Sequence, residues 1–167
     1  ASAIGDYLPE AAWVVANEKR LPIILHLFRR AALSDPDNFR YITTMAKRYP
    51  NAQLVLAHCA RGFAPWSMMK AIKELEDTGN IWFDLSAICE SGPMAACILK
   101  NAGKRTMWGS DYPRTITAIT YRMSYDFILK SDELSEEEKS MFLGENAIRF
   151  YGLDNLVDLP YIKNMSE

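Results

Sequence analysis

Several things are scarce in this sequence, and each scarcity excludes a class of function. No apolar run approaches the ~20 residues a membrane-spanning helix needs, so no membrane partner is expected. The opening ASAIGDYLPE has neither the basic start nor the apolar stretch of a signal peptide, which makes the cytoplasm the expected location. Charge of one sign is missing too: 19 Lys and Arg face 21 Asp and Glu, without a long basic block, so no nucleic-acid partner is expected. Cysteine is limited to Cys59, Cys89 and Cys97, an odd set in apolar surroundings that reads as reduced thiols and not as a disulfide framework. No strand runs into a glycine-rich phosphate loop; the nearest candidate, RGFAPW, holds one glycine. Histidine occurs twice, as His26 and His58, so any imidazole chemistry rests on that pair.

What is present is an ordinary globular mix, 49% apolar and 24% charged in 167 residues, enough for one domain with a real core. Four segments read as buried parallel strands: Leu21–Leu27, Gln53–Cys59, Asn80–Ala87 and Arg105–Asp111. Their residues are apolar without alternation, as expected where helices cover both sides of a sheet or a barrel wall. Helical patterns fill the gaps. One begins near Pro9, one near Ser34 and Asp35 with Pro36 behind them, and one runs to Gly79. A shorter one closes on Gly103, one spans Thr117–Lys130, and a capping box stands at Ser135 to Glu138 before a final helix in GENAIRFYGL. This αβ alternation fits either an open doubly wound sheet or part of an eight-stranded barrel. A complete barrel takes about 250 residues, so four strands amount to half of one.

The polar residues sit at strand ends. His26 ends the first strand, His58 the second and Asp111 the fourth, with Asp84 and Ser86 near the end of the third. In parallel α/β folds that rim is where ligands bind. Two readings are open. A strand histidine is commonly a satisfied core residue, and Asp111 can cap the turn at Tyr112–Arg114. Alternatively, the three side chains share a divalent cation, which removes the cost of a buried lone carboxylate and suits zinc with its imidazole and carboxylate donors. Arg61, with Arg29 and Arg30 behind it, is the candidate clamp for a substrate carboxylate. Cys59 reads as inert core.

The segments IILH, LVLAHCARG, MWGSDYP and GENAIRFYGL resemble the C-terminal half of the amidohydrolase-related metal-dependent enzymes, in particular the branch of aminocarboxymuconate-semialdehyde decarboxylase. The resemblance covers about Pro9 to Leu153 and implies a partial (β/α)8 barrel, the strands being its fifth to eighth, with residues 1–167 as one C-terminal portion. It implies His26 and Asp111 as metal ligands, His58 and Asp111 as catalytic groups, zinc as cofactor and a small carboxylated substrate for hydrolysis or non-oxidative decarboxylation. The family's other metal ligands come from a His-x-His at the end of the first strand, which this sequence does not contain. The expectation is therefore an isolated chain that is metal-poor and inactive, completed by an N-terminal half-barrel or by a second copy, since half a barrel exposes strand edges. The alternative is a non-catalytic half-barrel remnant serving as a folding or interaction module.

Overall fold

The computed structural model describes residues 3–27, 31–60, 66–75, 78–86, 103–111 and 118–153. Helices α1 (Ile4–Tyr7) and α2 (Glu10–Lys19) precede strand β1 (Pro22–His26), and α3 (Pro36–Arg48) leads to β2 (Gln53–Ala57). Helix α4 (Trp66–Ile72) and a 3-10 turn over Lys73–Leu75 lead to β3 (Ile81–Asp84). After β4 (Thr106–Met107) come α5 (Ala118–Leu129), α6 (Glu136–Ser140) and α7 (Asn146–Tyr151). The expected helix closing on Gly103 lies largely outside the described residues.

Local chemistry explains these boundaries. Asp35 Oδ1 accepts from the Asp37 and Asn38 amides at 3.1 and 3.2 Å, capping α3 while Pro36 opens its first turn. Lys47 and Arg48 close α3 where the helix dipole favours cations. The Ser135–Glu138 capping box forms in both directions. Pro9 stands one position earlier than expected, as the cap of α2.

The four strands are parallel and pair in chain order, β1-β2-β3-β4. His26 lies opposite Ala57, Leu56 opposite Phe83, and Asp84 opposite Met107. An order without reversal is the one a barrel wall follows; a doubly wound sheet turns back at a switch point. One face of the sheet is the main core, where Leu54, Leu56, Ile81 and Phe83 meet Trp13, Ile42, Met68 and Ile72, all fully buried. Each such side chain contributes about 1.5–3 kcal/mol by leaving water. The opposite face holds a smaller cluster of Val55, Trp82 and Met107 under Ala147 and Phe150 of α7.

Strand β1 departs from the expected two-sided burial. Leu25 is buried but Ile24 is 64% exposed, so alternate residues of β1 point to core and to solvent. The reason is cover: α7 shields the inner face at β2 to β4, with Phe150 stacked on Trp82 at 4.7 Å. That shield does not extend to Ile24.

Polar staples, with Asn80 and Asn146 buried, fix the N-terminal ends of the strands. Asn80 Nδ2 donates to the carbonyls of Ala46, Tyr49 and Ala52 at 2.9–3.1 Å. Arg105 donates to the Thr78 and Ile81 carbonyls at 2.6 Å and to Leu75 at 3.2 Å. Asn146 Nδ2 donates to the Gly103 and Thr106 carbonyls at 2.8 Å, and Arg149 donates to the Lys104 carbonyl at 2.6 Å. Asn146 and Arg149 of GENAIRFYGL are thus structural ties at the end of the sheet away from the rim.

Candidate active site at the strand rim

At the opposite end the sheet gathers its histidines. β1 ends on His26; β2 ends on Ala57, and the chain then turns through His58, Cys59 and Ala60 at φ of 52, 51 and 49°. Asp111, past β4, has φ 53°. These are left-handed conformations in residues other than glycine, each costing on the order of 1–3 kcal/mol, and such strain concentrates where a side chain must be aimed. Here the turn carries the His58 ring back over the strand ends.

His26 and His58 meet edge to face, with ring centroids 5.1 Å apart and planes at 84°. His58 Nε2 lies 3.9 Å from Asp111 Oδ1, and the two side chains are 20% and 30% exposed. The structure thereby places His58 beside both His26 and Asp111. On its other side, His58 Nδ1 is 2.8 Å from the Ser86 carbonyl oxygen and 2.9 Å from Ser86 Oγ. Ser86 is held in turn by Asp84, its hydroxyl donating to Oδ2 at 2.5 Å and its amide to Oδ1 at 2.9 Å. A Cβ at Gly109 would come 2.5 Å from Asp84 Oδ1, so any larger residue there must displace that carboxylate. Cys59 is buried and its thiol donates to the Asp84 carbonyl at 3.3 Å, in keeping with an inert role. Arg61, Arg29 and Arg30 lie outside the described residues, as does the Tyr112–Arg114 turn.

One neighbour of the rim carried no sequence signal of its own. Tyr151 of α7 meets Phe150 edge to face at 4.7 Å, and its hydroxyl is pushed above the ordinary tyrosine range, first by burial and then by the Asp84 carboxylate. A phenol near Asp84 became visible only when α7 folded across the inner face.

Two imidazoles and a carboxylate are the donor types a borderline divalent ion takes. Their geometry does not complete such a site. Among the described residues, no three His, Cys, Asp or Glu side chains gather as a metal-holding group. The 3.9 Å from Nε2 to Oδ1 also exceeds the roughly 3.4 Å that two ligands of one tetrahedral zinc span at bonds of about 2.0–2.2 Å.

Comparison with known proteins follows the same line. A family model described as amidohydrolase matches residues 3–153. Against curated protein sequences the chain has no significant match. Among solved structures it is similar to an amidohydrolase from Burkholderia multivorans with bound zinc, at TM-score 0.72 and 19% identity, over 91% of this chain and 61% of that one. It is similar to 4-oxalomesaconate hydratase from Rhodopseudomonas palustris, at TM-score 0.66 and 19% identity, over 100% of this chain and 56% of that one. A third likeness is to 2,6-dihydroxybenzoate decarboxylase from Rhizobium, at TM-score 0.59 and 16% identity, over 87% of this chain and 55% of that one. The chain therefore spans little more than half the length of these structures, and the likeness shows the fold.

Proposed function

The chain belongs to the amidohydrolase family, and on that premise we propose that the whole protein hydrolyses or non-oxidatively decarboxylates a small carboxylated substrate. The observation that carries this reading is the convergence of His26, His58 and Asp111 at the C-terminal ends of parallel strands. The kinship with a decarboxylase and a hydratase supports the lyase side of it.

The chemistry assigned to this chain's own residues is proton handling. His58 Nε2 and Asp111 Oδ1 lie close enough for a water or a substrate oxygen to bridge them from the side, and either group can hold the proton removed there. An imidazolium formed at His58 stabilises negative charge developing on the substrate. Arg61 is assigned to the substrate carboxylate as a two-point clamp. The zinc held by the Burkholderia relative supports a zinc requirement, with His26 and Asp111 as this chain's ligands.

We further read the sheet as an arc of a (β/α)8 barrel, its fifth to eighth strands in the decarboxylase-like branch. The strand order and the exposed residue Ile24 support it. The arc is completed by further residues of a longer chain or by a second copy of this one. Sedimentation of the isolated chain tests this: association at micromolar concentration is expected, and a monodisperse monomer with a cooperative melt contradicts it.

The enzymatic reading is tested on the longest natural form containing this segment. Turnover of a panel of small aromatic and cyclic carboxylates, followed by carbon dioxide release and by hydrolysis, is measured with zinc content. Loss of zinc and turnover in His26→Ala and Asp111→Ala is expected; unchanged values in both contradict the proposal. The spacing of His58 and Asp111 favours one second reading, a non-catalytic module. Inactivity and absence of zinc in that longest form would select it.

A further inference from the structure

We propose that Asp84 and Ser86 are positioning residues that fix the neutral His58 ring as its Nδ1–H tautomer and so aim the Nε2 lone pair at the Asp111 side of the rim. The tautomer follows from geometry alone; its use in catalysis rests on the function proposed above.

A carbonyl oxygen can only accept, and the Ser86 carbonyl lies 2.8 Å from His58 Nδ1, so that nitrogen carries the hydrogen. A carboxylate also only accepts. The Ser86 hydroxyl hydrogen therefore points to Asp84 Oδ2 at 2.5 Å, leaving an Oγ lone pair toward Nδ1 at 2.9 Å. Asp84 Oδ1 takes the Ser86 amide at 2.9 Å. Every bond in the network runs one way, from His58 through Ser86 to Asp84. Both carboxylate oxygens grip Ser86, which keeps its carbonyl turned to the ring. Ser86 is 4% exposed, so water competes poorly for these contacts. The bare Cα of Gly109 leaves the space Asp84 needs. This arrangement also argues against Ser86 as a nucleophile, since its hydrogen is committed away from the ring.

The consequence lies on the far nitrogen. With the hydrogen on Nδ1, Nε2 is free to take a proton or bind a cation. With the hydrogen on Nε2, that nitrogen could neither take a proton nor bind a cation.

Long-range 1H–15N spectra of the labelled full chain test this, because two histidines give only four ring nitrogens and His26→Gln assigns them. The expected wild-type pattern for the neutral His58 ring is a protonated Nδ1 and a bare Nε2. Asp84→Asn turns an NH2 toward Ser86 Oγ and redirects the hydroxyl hydrogen at Nδ1, so the Nε2–H population is expected to rise severalfold. Ser86→Ala is expected to raise it less, and Ser86→Thr to restore the wild-type pattern. A wild-type Nε2–H tautomer, or folded Asp84→Asn and Ser86→Ala variants with unchanged populations, would overturn the proposal. Should Asp84→Asn unfold, the wild-type spectrum and Ser86→Ala decide it. These spectra read the place of a proton and not turnover, so this inference and the proposed activity fail separately.

Discussion

The imidazole of His26 stands edge-on to that of His58, ring centroids 5.1 Å apart, although the two rings arrive from different strands. The contact follows from register: His26 pairs with Ala57, and the left-handed turn at His58 swings the next side chain back toward β1. The His58 ring also faces the Asp111 carboxylate, and residues that act as a unit respond non-additively to mutation. In the catalytically competent form, His58→Ala and Asp111→Ala are each expected to lower kcat/KM by at least ~100-fold, the usual reach of a general acid–base group. The double variant is expected to lose little beyond the worse single. Steady-state kinetics of the three proteins checks this; fully multiplicative losses would mean that the two residues act independently.

Asn80 ties three carbonyls at the other end of the sheet. Asn80→Ala strips a donor from the Ala46, Tyr49 and Ala52 carbonyls, only the Tyr49 one keeping the Ala52 amide, in a residue 8% exposed. A loss of about 2–3 kcal/mol is expected from the stranded acceptors. Urea melts at constant m-value measure it.

Helix ends offer a pair of opposite sign. Asp35→Ala removes the cap of α3 and is expected to cost about 1 kcal/mol. Arg20 ends α2 at φ 54°, a position where glycine is the relaxed choice. Arg20→Gly is therefore expected to stabilise by about 0.5–1 kcal/mol, left-handed strain relieved outweighing the looser unfolded chain. Thermal melts of both variants check the signs.

The strands themselves were legible, because an apolar run without alternation between helical patterns has few other homes. Their ends were not. The run Asn80–Ala87 pairs only from Ile81 to Asp84, and Arg105–Asp111 only at Thr106–Met107. Ladder pairing stops where the chain must turn its polar residues onto the rim, and composition does not mark that point. The left-handed turn over His58 to Ala60 was hidden for a related reason: the usual signal is glycine, and none stands there. The nearness of His58 to His26 and to Asp111 was legible from their place at strand ends. Asp84 and Ser86 were noticed there too, but the direction of their hydrogen bonds exists only in three dimensions. The open side of β1 was illegible, since an isoleucine in a strand says nothing about whether its face finds a cover.

Glu10 gives a pH dependence whose sign is fixed. The Tyr49 hydroxyl first, then the Arg48 guanidinium, hold its carboxyl below the ordinary range, with the Tyr49 oxygen at 2.6 Å. A depressed carboxylate stabilises the fold above its unfolded pKa and loses that contribution as pH falls through the folded one. The stability difference between wild type and Glu10→Gln is therefore expected to shrink as pH drops below about 4, and to shrink in high salt because the pair is exposed. Melts across pH and ionic strength check both trends.

The central claim, that His26, His58 and Asp111 serve one centre, is tested most directly by titrating the 15N-labelled chain with cobalt(II) and following both imidazoles. The expected result is that the two rings broaden together at the same cobalt concentration, and that Asp111→Ala abolishes the joint response. Broadening of one ring alone, or an unchanged response in Asp111→Ala, would contradict it.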